Sequence, residues 1–199
     1  MLPVLEQHIR NRINLSRIDQ LSAKPDDAQL AEVLSHFTLI RVKRNELLLR
    51  EGDVCRLCYF VVKGCIQVFT HDSNSEESTR DIVVENNWVT ELFSFGNQHP
   101  ANENLRAVEP GHLLAIGFES FQQLVRTVPT FEQIYRQIIE QSYVNSVFRL
   151  NTFVAMDALE RIRWMREYQP RLLTRLSSKL VASYLGISAE TYSRLKAKL

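Results

Sequence analysis

The chain has 199 residues, 45% of them hydrophobic and 24% charged, with a formal net charge of +1. That balance is ordinary for a globular protein and excludes collagen-like, disulfide-dense and intrinsically disordered classes. No stretch approaches the ~18 uninterrupted apolar residues of a membrane span. The opening Met1-Leu-Pro-Val-Leu-Glu-Gln-His8 lacks the charged-then-apolar layout of a signal peptide, so a cytoplasmic protein is expected.

Residues 1 to about 36 carry a helical pattern, with Leu5, Ile9 and Ile13 and then Leu30, Val33, Leu34 and Phe37. Lys24-Pro25-Asp26-Asp27 interrupts it, and its aspartates suit a helix start.

Residues 38 to about 118 change character. Short β-branched runs alternate with turn signals: Thr38-Leu-Ile-Arg-Val42, Leu47-Leu-Leu49, Tyr59-Phe-Val-Val62, Cys65-Ile-Gln-Val-Phe69, Asp81-Ile-Val-Val84, Leu105-Arg-Ala-Val108 and His112-Leu-Leu-Ala-Ile116. Many short strands at near-regular spacing predict an all-β sandwich or barrel. Lys63-Gly64 is expected to turn a hairpin, and His71 to Thr79 reads as a polar loop. Cys55, Cys58 and Cys65 fall in this region. Cys-x-x-Cys invites a metal or redox role, but a zinc site needs a fourth ligand, and free Cys in an apolar run behaves as a small core residue. The core reading is preferred.

From residue 119 to about 156 the pattern returns to helix. Ile139, Tyr143, Val147, Leu150 and Val154 recur at intervals of four, four, three and four. Phe131, Ile134 and Ile138 form a second row. A helix over residues 130–155 would run ~39 Å. It could cover its own domain with one row and pair with a second copy through the other, or both rows could be intramolecular core.

The last segment is basic. Between Ala158 and Leu199, nine Lys/Arg stand against three acids, a net of +6, which leaves the rest of the chain at −5. Such asymmetry fits a polyanion binder joined to an acidic body, or more plainly a solvated basic face. Gln169-Pro170 separates its first helix from the remainder. The final residues, from Ser178 to Leu199, have the spacing of a helix-turn-helix. Ala182 is small where two helices would cross. Gly186 sits where the turn needs positive φ, Ile187 would plug the corner, and Ser188 can N-cap the second helix. Tyr192, Leu195 and Leu199 form its buried stripe, while Glu190, Ser193, Arg194 and Ala197 point elsewhere. Arg and Glu can read guanine and cytosine edges. A plain helical hairpin would share much of this pattern.

The order β-roll, long helix, helix-turn-helix resembles the Crp/Fnr family of bacterial transcription regulators. Glu51-Gly52-Asp53 followed by Tyr59-Phe-Val-Val-Lys-Gly64 is similar to the family's early β-roll signature. Trp88-Val-Thr-Glu-Leu-Phe93 stands where its effector cassette begins, and the segment from Ala182 to Leu195 resembles its recognition element. The resemblance implies an α+β fold. N-terminal helices and a double-stranded β-helix (β-roll or jelly roll) would form an effector domain over 1–128, with a dimerisation helix over 129–156. A helix-turn-helix, a truncated winged helix, would occupy 157–199. It implies base contacts from Glu190 and Arg194, and phosphate or capping roles for Thr191 and Ser188. Ala189 stands where cyclic-AMP-responsive members carry Arg. With Lys179, Ser193, Lys196 and Lys198, these form the expected DNA-binding set.

The expected effector pocket comprises Thr90, Glu91, Leu92, Phe93, Ala101 and Asn102. It departs from the cyclic-nucleotide pattern in two places. Thr90-Glu91-Leu92 lacks the family's glycine, and Pro100-Ala-Asn-Glu-Asn104 lacks the arginine that holds the cyclic phosphate. A buried phosphate needs a cation or several N–H donors, so weak or absent cyclic AMP binding is expected. Three cysteines cannot ligate an iron–sulfur cluster in the manner of the oxygen sensors, and no motif singles out a haem ligand. The chain ends within the recognition helix, so the β-hairpin wing is expected to be missing.

The expected function is a homodimeric, sequence-specific regulator binding double-stranded DNA. It would be paired through Ile139, Tyr143, Val147, Leu150 and Val154, with a small-molecule effector and RNA polymerase as further partners. No cofactor, metal site, catalytic residue or membrane contact is expected. Glu91 and His99 could suggest acid–base chemistry, but no nucleophile or metal triad accompanies them. The alternatives are a small-molecule sensor whose vestigial helix-turn-helix acts through protein contacts, and a regulator needing no ligand.

Overall fold

A computed structural model describes residues 1–15 and 27–198. Two helices open it, α1 (Leu2–Leu15) and α2 (Asp27–Ser35), and they bury Leu5, Ile9, Leu30 and Val33. The expected break over 24–26 and the side chains of Ile13 and Leu199 lie outside the described residues.

The strands are β1 (Thr38–Val42), β2 (Leu47–Leu49), β3 (Leu57–Lys63), β4 (Cys65–His71), β5 (Glu77–Val84), β6 (Trp88–Val89), β7 (Asn104–Ala107) and β8 (Gly111–Gly117). A short helix, α3 (Leu92–Asn97), lies between β6 and β7. They form two antiparallel sheets, ordered β1-β8-β3-β6 and β2-β7-β4-β5, whose facing side chains share one hydrophobic core. Central strands β3 and β4 read as continuous apolar runs because both of their faces are covered, which removes period-two alternation. On the outer side of β3, Phe60 meets His8 and Trp88 from flanking elements. On β4, Cys65 belongs to a second core formed with C-terminal helices.

The predicted runs all have a strand counterpart, and Gly64 turns the β3–β4 hairpin at φ 116. The expected polar loop from His71 to Thr79 is wrong at both ends. Strand β4 runs through His71 and β5 begins at Glu77. The turn is tight because the Asp72 carboxylate accepts from the N–H groups of Asn74 and Glu76 at 2.8 and 2.9 Å. Polar Glu77 and Thr79 are strand residues held by partners inside the molecule.

The remaining helices are α4 (Phe118–Thr127), α5 (Pro129–Ala155), α6 (Ala158–Tyr168), α7 (Pro170–Arg175), α8 (Ser178–Leu185) and α9 (Ala189–Lys196). Pro129 starts α5, where its missing N–H costs nothing. Phe131 and Ile134 bury the first turns of α5 against the roll. Its later turns leave the roll and expose Tyr143, Val144, Val147, Phe148, Leu150 and Val154. At its end a capping box between Asp157 and Glu160 starts α6. No helix among the described residues is long and apolar enough to cross a membrane.

Candidate nucleic-acid interface and effector region

Helices α8 and α9 are joined by the turn predicted for them. Gly186 takes φ 65, ψ 39. The N–H of Ile187 returns to the Ala182 carbonyl at 3.0 Å and that of Gly186 to Ser183 at 3.1 Å, so the turn ends α8 with its last carbonyls satisfied. Ser188 caps α9, its hydroxyl accepting from the Thr191 N–H at 3.1 Å. Ala182 and Tyr192 are 1% and 3% exposed, with Leu195 and Ile187 packed beside them.

The opposite face of α9 is open. Ala189, Glu190, Ser193, Arg194, Lys196 and Lys198 are exposed, and so is Lys179 on the first turn of α8. Thr191 is half-buried. Neither Glu190 nor Arg194 forms an ion pair among the described residues. Lys196 lies over the Tyr192 ring at 5.7 Å. A capped helix with one packed stripe and a free basic face can enter a groove and offer Arg and Glu to base edges.

What orients this helix pair was not legible in the sequence. Strand β5 ends its sheet, so one edge has no strand partner among the described residues, and α8 covers that edge. The Ser183 hydroxyl accepts from the Thr79 N–H at 3.0 Å and donates to the Glu77 carbonyl at 2.8 Å. It also stands 2.8 Å from the Thr79 hydroxyl, which accepts from the Gln67 amide at 2.9 Å. Gln67 accepts in turn from Arg106 at 2.6 Å, and Arg106 also pairs with Glu77. Arg149 leaves the apolar row of α5 to donate to the carbonyls of Thr79, Arg80 and Tyr184, and it stacks over Tyr184 at 3.9 Å. Burial pulls its pKa below the ordinary arginine value.

A second clamp is electrostatic. Arg175 bridges Glu85 at 2.8 Å and Glu109 at 2.5 Å, and it donates to the Gly64 carbonyl at 3.0 Å. Burial would raise the Glu85 carboxyl, but hydrogen bonds from Arg175 and the Gly64 N–H overcome this and hold it below its ordinary value.

The expected effector residues cluster around α3, but several are already committed. Glu91 is 5% exposed and caps α3, its carboxylate accepting from the Ser94 N–H at 2.6 Å. Thr90 donates to the Leu57 carbonyl at 3.1 Å. The Ala101 backbone is spent on Asp53 and Gly52 at 2.9 and 2.8 Å. Leu92 and Phe93 are 44% and 51% exposed and Asn102 is exposed. The nearby cations are neutralised. Arg80 pairs with Glu103, and Arg106 with Glu77. Burial works against the charge of Arg80, but Glu103, Asp81 and Glu91 more than offset it and keep its pKa raised. Arg80 and Arg106 are thus already paired with carboxylates, which leaves neither uncompensated for a buried phosphate.

The cysteines are buried at 2%, 5% and 0% for Cys55, Cys58 and Cys65. Burial pushes the Cys65 thiol up to about 12 and raises that of Cys58, which leaves both protonated, as core residues.

Comparison with known proteins agrees with this architecture. Residues 39–128 match the cyclic nucleotide-binding domain family. The chain is 21% identical over 180 residues to the cAMP-activated global transcriptional regulator CRP of Escherichia coli, covering 85% of each. It is 22% identical over 169 residues to the anaerobic regulatory protein of Pasteurella multocida, where the match takes in 79% of this chain but spans only 61% of that protein. Among solved structures, the c-di-GMP-responsive global regulator CLP of Xanthomonas campestris superposes with a TM-score of 0.71 at 20% identity, over 87% of this chain and 91% of that one. A CooA variant from Carboxydothermus hydrogenoformans gives 0.64 at 17%, over 94% and 86%.

Proposed function

We propose that this chain, a homologue of the Crp/Fnr regulators carrying a cyclic nucleotide-binding domain, is a homodimeric, sequence-specific DNA-binding regulator. The observation that carries the reading is α9. Its N-terminus is capped by Ser188, its inner stripe is buried at Tyr192, and its outer face exposes Glu190, Ser193 and Arg194, with no ion pair at Glu190 or Arg194 among the described residues. Glu190 and Arg194 read bases. Lys179, Thr191, Lys196 and Lys198 contact phosphates. The apolar row of α5, with Tyr143 70%, Leu150 61% and Val154 78% exposed, pairs with a second copy and sets two α9 helices about one DNA turn apart. In this division 1–128 is the effector unit, 129–156 the dimer helix and 157–199 the DNA-binding unit. The effector is not cyclic AMP, because the nearby guanidiniums of Arg80 and Arg106 are already neutralised by Glu103 and Glu77.

Selection of bound sequences from random DNA at two salt concentrations tests this reading. A two-fold symmetric site is expected. Arg194→Ala should cost about 1–3 kcal/mol and relax one base position, whereas Lys198→Ala should weaken all sequences alike and flatten the salt dependence. Unaltered selection by Arg194→Ala would refute the base-reading assignment.

The docking of α8 on β5 favours one competing reading, a sensor whose helix pair acts through protein contacts. That reading requires no salt-dependent, sequence-selective DNA affinity in the dimer.

A further inference from the structure

A cavity of about 350 Å³ opens between β2 and β3 at the end of the roll, beside the loop that joins them. Leu47, Leu49 and Leu57 give it an apolar wall, and Arg50 and Arg56 stand at its rim with Asp53. Both arginines are exposed, and neither their side chains nor that of Asp53 form an ion pair or hydrogen bond among the described residues. The rim therefore carries one uncompensated positive charge.

Tyr59 supplies an independent observation. It forms part of the same wall, is only 4% exposed, and its hydroxyl has no hydrogen-bond partner among the described residues. The hydroxyl is not sealed in the core either, so the small exposure of this residue is onto the cavity. An otherwise buried phenol whose hydroxyl opens onto a cavity offers its donor to whatever occupies that cavity. Burial keeps it protonated, so it is a donor waiting for an acceptor.

We propose that this cavity binds an amphipathic monocarboxylate of medium length. The leucine wall requires an apolar body, and the single net positive charge matches one carboxylate rather than a phosphate dianion. At the ~30 Å³ that a water occupies in the liquid, the space holds about a dozen non-hydrogen atoms, the size of an eight- to ten-carbon acid. The carboxylate accepts from Tyr59 and pairs with Arg50 and Arg56, while the chain lies on Leu47, Leu49 and Leu57. The site uses none of the residues expected to hold the effector, and it stands whether or not α9 binds DNA. It does touch the effector region, since Cys55 in its wall donates its N–H to the Ser94 hydroxyl on α3 at 2.8 Å.

The test is isothermal titration of the whole protein with octanoate. One molecule should bind per chain, and octanol, which lacks the charge, should bind at least about tenfold more weakly. Arg50→Gln with Arg56→Gln should weaken octanoate by about tenfold or more, and Tyr59→Phe, which keeps the ring in the core, several-fold. Arg126→Gln, at an exposed position of α4, should change nothing. No saturable heat up to about 10 mM octanoate, an arginine double variant that binds as well as wild type, or a loss confined to Arg126→Gln would each overturn the proposal.

Discussion

Replacing Ser183 by Ala tests how the α8–α9 pair is held. The hydroxyl network has a fixed direction, because each oxygen has one proton. The Gln67 amide donates to Thr79 Oγ1, Thr79 Oγ1 donates to Ser183 Oγ, and Ser183 Oγ donates to the Glu77 carbonyl while accepting from the Thr79 N–H. The substitution deprives three groups of partners at once: the Thr79 N–H, the Thr79 hydroxyl and the Glu77 carbonyl. Thr79 is 3% exposed, so its amide bears a desolvation cost of about 1–3 kcal/mol when unpaired. The other two groups can be partly rehydrated because Ser183 itself is half-buried. A loss of about 2–3 kcal/mol in urea unfolding is expected. Native-state exchange of the Thr79 amide should accelerate by about thirtyfold for 2 kcal/mol of local opening, and Ser178→Ala, on an exposed position of the same helix, should do neither. Stability within ~0.5 kcal/mol of wild type together with unchanged Thr79 protection would show that the hydroxyl does not hold the docking.

Glu77 and Glu85 both have carboxyls held below the ordinary value of 4.5, Glu77 chiefly by Arg106 and Glu85 by Arg175 and Gly64 against the cost of burial. Their stabilisation is complete above 4.5 and is lost as pH falls through the lower folded values. Urea melts from pH 6 down to about 3 should show an acid limb that Arg175→Ala flattens. Gly186→Ala should cost about 1–2 kcal/mol from the left-handed backbone alone, and more because a Cβ there would run into the Phe153 ring. Equal thermal stability would refute that reading of the turn. Val147→Asp, at 39% exposure in the α5 row, should leave the monomer folded but abolish dimers in sedimentation, whereas an unchanged sedimentation coefficient would refute the pairing face. Cyclic AMP at about 1 mM should give no thermal shift, since a ligand at a hundred times its Kd adds about 2.7 kcal/mol of apparent stability.

The pieces visible in the sequence were those with local causes. Gly186 at positive φ and Ser188 as a cap each follow from one residue and its neighbours. The strands were legible because β-branched runs sat between turn residues. Helix α3 and strand β6 were missed. The first is six residues long and depends on the Glu91 cap, and the second has two residues held by pairing to Tyr59 and Phe60. The polar residues of β5 resembled a loop because their partners, Arg106, Gln67 and Ser183, lie 12 to 106 positions away. The residues expected to line an effector pocket lie around α3, but no local pattern could reveal that Glu91 is consumed as a cap or that Glu103 neutralises Arg80.

Strand β5 makes one last prediction sharp. Its residue Arg80 faces Glu103 beside α3, and its neighbour Thr79 is tied to α8. Arg149 grips the carbonyls of both and that of Tyr184. Adjacent residues on one strand cannot shift independently, because each displaces the backbone of the other. Glu103→Gln alone should cost little, about 0.5–1 kcal/mol, since Arg80 is 47% exposed and solvent screens the pair. Combined with Ser183→Ala, the losses should fail to add by more than about 0.5 kcal/mol in a double-mutant cycle. Arg149→Gln in the same background should reduce that coupling, because it removes the group that bridges the two carbonyls. Strict additivity would mean that Arg80 and Thr79 relax separately, and that the region around α3 and the α8–α9 pair are merely neighbours on the same strand.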